Sequence, residues 1–130
     1  CIQAPARCVS APMLPHAIRL AALVPLLAGG AGVLLGVRFL GEAGGPATES
    51  HLRYLSGLLL GLGLLALRCA NDLPNRGTPL TILCAVVAIG GLARLLGVFT
   101  HGVPPTPHLL ALVMELVITP ALWLWWNATR

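Results

Sequence analysis

Arg94 lies inside "GGLARLLGVFT" (90–100), a run that is otherwise apolar or small, and Glu115 lies inside the equally apolar "LALVMELVITPALWLW" (110–125). The two are equally far along the chain from the Pro104–Pro105 turn. In two antiparallel helices, equal chain distance means equal depth, so the pair can meet. An unpaired arginine in hydrocarbon costs from about 2.5 to well over 10 kcal/mol, and such residues turn inward and find partners. A bidentate guanidinium–carboxylate pair answers that demand, because arginine has no deprotonated state to escape into.

The same arithmetic applies to Arg38 and Arg53, which flank residues 45–46. They fall level with one another, at or just below one membrane interface. From Arg53 to Arg68 the chain covers only about 23 Å of helix, less than a hydrocarbon core of roughly 30 Å, so one of these arginines snorkels or sits within the protein. One half of the molecule is therefore expected to gather Arg38, Arg53, Arg94 and Glu115, with Glu42, Glu49, His51, His101 and His108 around its mouth. Three arginines against one deep glutamate suit an anion: a phosphate, a carboxylate or an acidic lipid head group. A plainer arrangement stays open. Glu42 is four residues beyond Arg38 and Glu49 four before Arg53, so local pairs can satisfy both arginines and leave Arg94–Glu115 as a structural clasp.

Other chemistry is thinly represented. The histidines show no HxxxH or HExxH spacing and none lies in the middle of an apolar run, so neither a metal nor any other cofactor is expected. Cys1, Cys8, Cys69 and Cys84 form no CxxC and are read as small apolar residues or parts of a tail. No nucleophile triad, phosphate loop or pair of deep carboxylates is present, which leaves Glu115 as the one buried acid/base candidate were the protein an enzyme.

The elements that must position these residues follow from composition. The 130 residues are 57% hydrophobic and 9% charged, with a mean hydropathy of +0.88, whereas about a quarter of residues are charged in soluble chains. The chain reads as all-α, an integral membrane antiparallel four-helix bundle. Apolar runs of membrane length fall at about 18–37, 52–67, 80–100 and 109–126, between an irregular extension (1–17) and a short tail (127–130). Met13 opens a stretch resembling a natural membrane-protein start, so residues 1–12 are read as an upstream extension or processed remnant. Arg7, Arg19, Arg68, Arg76 and Arg130 gather on one side, against Arg38 and Arg53 on the other, which by the positive-inside rule places both termini in the cytoplasm. Trp123, Trp125 and Trp126 then belong to an interfacial aromatic belt. Dispersed arginines exclude a nucleic-acid footprint.

Small residues are expected to let the helices approach: Gly32 and Gly36, then Ser56, Gly57, Gly61 and Gly63, then Gly90, Gly91 and Gly97. Gly57, Gly61 and Gly97 are the foremost packing candidates. Pro25 and Pro120 are expected to kink their helices.

The segments "RFLGE", "HLRYLSGLLLGLGLLAL", "GGLARLLGVFTHGVPP" and "LALVMELVITPALWLW" resemble a bacterial family of small four-helix inner-membrane proteins known as domain of unknown function 4345. The matching positions are Arg38, Arg53 with Gly57 and Gly61, Arg94 with Gly97, Gly102 with Pro104, and Glu115, and the resemblance covers residues 18–126. It implies a shared four-span fold in the inner membrane and a shared polar cluster, and it brings no established activity.

The expectation is thus a non-enzymatic inner-membrane protein, surrounded by the lipid bilayer, whose outward Arg/Glu pocket binds an anionic lipid or small acid. An accessory subunit of a larger membrane complex, packing through its glycine faces, is the alternative. A lipid-modifying enzyme using Glu115 comes third.

Overall fold

The computed structural model describes residues 12–41 and 43–130. It is an all-α antiparallel four-helix bundle, with no strand among the described residues. Helix α1 (Met13–Leu35) runs into a 3-10 turn (Gly36–Leu40), α2 spans Pro46–Asn71, a second 3-10 turn spans Leu73–Asn75, and α3 spans Gly77–His101. The last helix, α4 (Thr106–Thr129), contains one π-helical turn at Met114–Ile118. All four are long and apolar enough to cross a membrane. Helix begins at Met13, so residues 13–17, expected to be irregular, are helical. Pro15 does not prevent this: in the first turn its missing N–H would have had no acceptor inside the helix. Leu14 and Ile18 reward the early start, since both are buried. Helix α2 likewise begins at Pro46, its first helical position, where proline's fixed φ is already helical.

The core joining the two hairpins sits at one end, beside Met13, the α2–α3 turn and Thr129. Leu14, Ile18 and Ala22 of α1 meet Ala66, Cys69, Ala70 and Leu73, then Leu80, Leu83 and Cys84 of α3 and Trp126 of α4. At the opposite end, where the α1–α2 and α3–α4 connections lie, the tight contacts fall within each hairpin. A methyl at Gly29 would lie 2.5 Å from the Leu60 nitrogen, one at Gly32 would overlap the Ser56 hydroxyl, and one at Gly91 would lie 2.8 Å from the Glu115 Cβ.

Those contacts correct the packing assignment. Around Gly57, Gly61 and Gly97 there is nothing among the described residues within 4 Å of an added methyl, so they do not hold the four helices together. The work falls to Gly29, Gly32, Gly63 and Gly91. The reason is helical phase. The buried positions of α2 are Ser56, Gly63, Ala66, Cys69 and Ala70, and Gly57 is turned about 100° from Ser56. The tryptophans depart from a simple belt as well. Trp126 is buried against Gly77, with Arg130 stacked 4.4 Å from its ring, and the Trp123 indole N–H donates to Thr81 Oγ1 at 3.1 Å.

Candidate functional site

Arg94 and Glu115 meet as their chain positions predict. Arg94 Nε donates to Glu115 Oε2 at 3.0 Å and Nη2 to Oε1 at 3.1 Å, a bidentate bridge from α3 to α4. The pair is partly buried, with side-chain exposures of 35% and 18%. The remaining guanidinium nitrogen, Nη1, lies 3.2 Å from His108 Nδ1. Because a guanidinium only donates, Nδ1 accepts, and the ring proton resides on Nε2. Gly91, one turn from Arg94, leaves room on α3 for the Glu115 Cβ and the Leu116 side chain.

Glu115 stands in the π-helical turn, whose defining bond runs from the Thr119 N–H to the Met114 carbonyl. Pro120 explains the turn. It has no N–H to offer the Leu116 carbonyl, so the regular ladder is interrupted there, and the Thr119 hydroxyl adds a second bond to Met114 O at 2.8 Å.

The second polar cluster lies on the α1–α2 hairpin. Arg53 Nε donates to Glu49 Oε1 at 2.6 Å, and Arg53 Nη1 to the Val33 carbonyl at 2.7 Å. The other Glu49 oxygen accepts the Val37 N–H at 2.9 Å. Glu49 and Arg53 therefore finish the end of α1: one takes an N–H and the other covers a carbonyl, both left without helical partners where the helix stops. The stop is made by Gly36, whose φ of 60° is left-handed and whose missing side chain leaves room for the Glu49 carboxylate. A cavity of about 520 Å³ opens beside this cluster, lined by Arg38, Glu49 and Arg53 with Leu34, Leu35 and Pro46 among its apolar walls.

The structure thus divides the anticipated four-residue pocket in two. Arg38 and Arg53 share one cavity, whereas Arg94 and Glu115 form a closed pair on the other hairpin and do not line it. The local pairing foreseen for Arg53 with Glu49 is present; Glu42, the corresponding partner for Arg38, lies outside the described residues, as do Cys1, Arg7 and Cys8. Among the described residues Arg38 makes no ion pair, and no three His, Cys, Asp or Glu residues are grouped as metal ligands. Among the described residues the His101 ring bonds its neighbour, the Thr100 hydroxyl, at 2.8 Å.

Three participants were not singled out from the sequence. His108 was placed only at the mouth, although it lies seven residues, two helical turns, before Glu115 and so on the same face. The Val33 carbonyl and the Val37 N–H are backbone groups with no sequence signature of their own. Gly36, between them, was the available hint that the helix ends there.

The family described as Domain of unknown function (DUF4345) matches residues 13–126, from the first residue of α1 to the buried Trp126 of α4. No curated protein and no solved structure matches the chain.

Proposed function

We propose that this chain, which belongs to the DUF4345 family, is a non-enzymatic protein of the bacterial inner membrane that binds an anionic head group, of a lipid or of a small acid, in the Arg38–Arg53 cavity. Both termini are cytoplasmic in this reading, since Arg19, Arg68, Arg76 and Arg130 lie at the core end and the cavity faces the opposite side. The observation that carries it is the charge balance of the cavity. Among the described residues two guanidinium groups line it against one carboxylate, and that carboxylate is already occupied by Arg53 and a backbone N–H. Arg53 still has both N–H groups of Nη2 to offer, and a planar fork suits a phosphate or carboxylate. Glu115 accepts from Arg94 through both oxygens, a counter-ion's role, and the reading gives it no chemistry.

Native mass spectrometry in mild detergent tests the site. Wild type is expected to retain anionic lipid in preference to zwitterionic lipid, and Arg38→Ala to lose it. A Leu80→Ala variant, in the core at the opposite end, serves as a control that weakens the bundle without touching the cavity. Retention that follows stability across the variants, regardless of charge, defeats the reading.

A second reading, an accessory subunit of a larger membrane complex, is favoured by Gly57 and Gly61. They leave a smooth track on α2 with nothing among the described residues against it. Cysteine crosslinking from position 57 or 61 in native membranes is expected to capture a specific partner; lipid-only surroundings there would count against it.

A further inference from the structure

We infer that Glu49 is an internal stand-in for the ligand anion, and that the cavity selects a phosphate monoester, which takes the place of the Glu49 carboxylate. This rests on the cavity being an anion site. The geometry is that of a filled oxyanion cradle. Glu49 receives one backbone N–H, from Val37 at 2.9 Å, and one charged N–H, from Arg53 Nε at 2.6 Å, while Arg38 shares the cavity wall. The Val37 N–H is available for this purpose because it lies in the first turn of the 3-10 segment Gly36–Leu40, where backbone N–H groups have no partner inside the helix. The glycine has no side chain to block the same space, where a methyl would overlap the carboxylate. An anion entering beside Arg38 finds these donors already occupied.

The exchange decides which anions bind. A carboxylate or a phosphodiester carries a single charge, so trading it for Glu49 returns the donors to the same electrostatic state. A phosphate monoester carries about −1.5 to −2 at neutral pH and three acceptor oxygens, enough to engage Val37, Arg53 and Arg38 together. Glu49 has somewhere to go. It stands in the first turns of α2 among exposed residues, and its side chain can swing into the aqueous interface. Leu34 and Leu35 at the cavity wall are exposed, which suits an apolar substituent on the phosphate. The monoester belongs either to a lipid head group or to a soluble molecule, and the experiment separates these sources.

The test is binding to the full chain in nanodiscs of zwitterionic lipid doped with phosphatidic acid (a monoester) or phosphatidylglycerol (a diester), with glycerol 3-phosphate as soluble competitor. Wild type is expected to prefer the monoester lipid by about tenfold, the equivalent of one extra charged contact. Glu49→Gln, which keeps the shape and removes the charge, is expected to tighten diester binding by about tenfold and erase most of the preference. Arg38→Ala should weaken the monoester without disturbing the Glu49 bonds, and Val37 amide exchange in wild type should stay slow when ligand replaces Glu49. Displacement of the lipid by glycerol 3-phosphate supports a soluble ligand; its failure supports a lipid, and either upholds the exchange. If wild type binds no anion, the cavity itself is misassigned. If it binds anions but Glu49→Gln changes neither affinity nor preference, the exchange is overturned while the anion site stands.

Discussion

Arg53 and Arg94 lie at similar depth and have different fates. Arg53 is seven residues after the start of α2 and Arg94 seven before the end of α3, so each stands about 10 Å of helix from the connection at its end. Arg53 has Glu49 one turn away on its own helix, and its exposed pair (47% and 31%) goes on to close the end of α1. Around Arg94 the positions three and four residues away hold Gly90, Gly91, Gly97 and Val98. With no carboxylate of its own, α3 must borrow one from α4, and the glycine at 91 brings that helix near enough to supply it. Local partners thus make an arginine a cap beside an open cavity; their absence makes it a bolt between helices.

The most severe way to break the comparison is to strand the bolt. Glu115→Ala should cost about 3–5 kcal/mol, since it leaves a partly buried guanidinium without its counter-ion, and Arg94→Leu with Glu115→Leu should recover most of that loss. Unfolding midpoints in a denaturing detergent series would show it; equal losses in the single and double variants would mean that the pair does not act as a unit. Next comes the glycine pattern. Gly29→Ala should cost about 1–3 kcal/mol because the methyl meets α2 backbone, whereas Gly57→Ala should be neutral or gain up to about 1 kcal/mol from helix propensity. The reverse order would place the packing face of α2 where the sequence first suggested. Arg53→Ala ranks third, at about 1 kcal/mol in the same assay, because its bonds are largely exposed.

How far the sequence could carry these assignments depended on the kind of information each needed. Depth is linear in residue number, so the Arg94–Glu115 meeting was legible from distances to one proline turn, and the helices from apolar run length. Rotation is harder to read. GxxxG spacing in "SGLLLGLG" does not say which of Ser56, Gly57, Gly61 and Gly63 faces α1, because all the alternatives are apolar or small and the membrane offers no polar face for contrast. The joint pocket failed for a related reason: equal depth placed four residues in one layer but could not say that the core at the other end joins the hairpins while this end packs each on itself. Nor could side-chain types announce the Val33 carbonyl and Val37 N–H, which matter only because the chain breaks between them at Gly36.

The finest test of the bolt concerns its third bond. If Arg94 reaches past Glu115 because one guanidinium nitrogen would otherwise lack an acceptor, then what His108 contributes is an acceptor, and any acceptor of similar reach should serve. His108→Gln should therefore leave the unfolding midpoint nearly unchanged, since the amide oxygen can accept from Nη1, while His108→Leu should cost about 0.5–1.5 kcal/mol, the net worth of one hydrogen bond. The loss should vanish when the same substitution is made in the Arg94→Leu, Glu115→Leu background, where no donor remains to be satisfied. A cost that persists there would assign His108 to the packing of the α3–α4 hairpin, and the bolt would then consist of Arg94 and Glu115 alone.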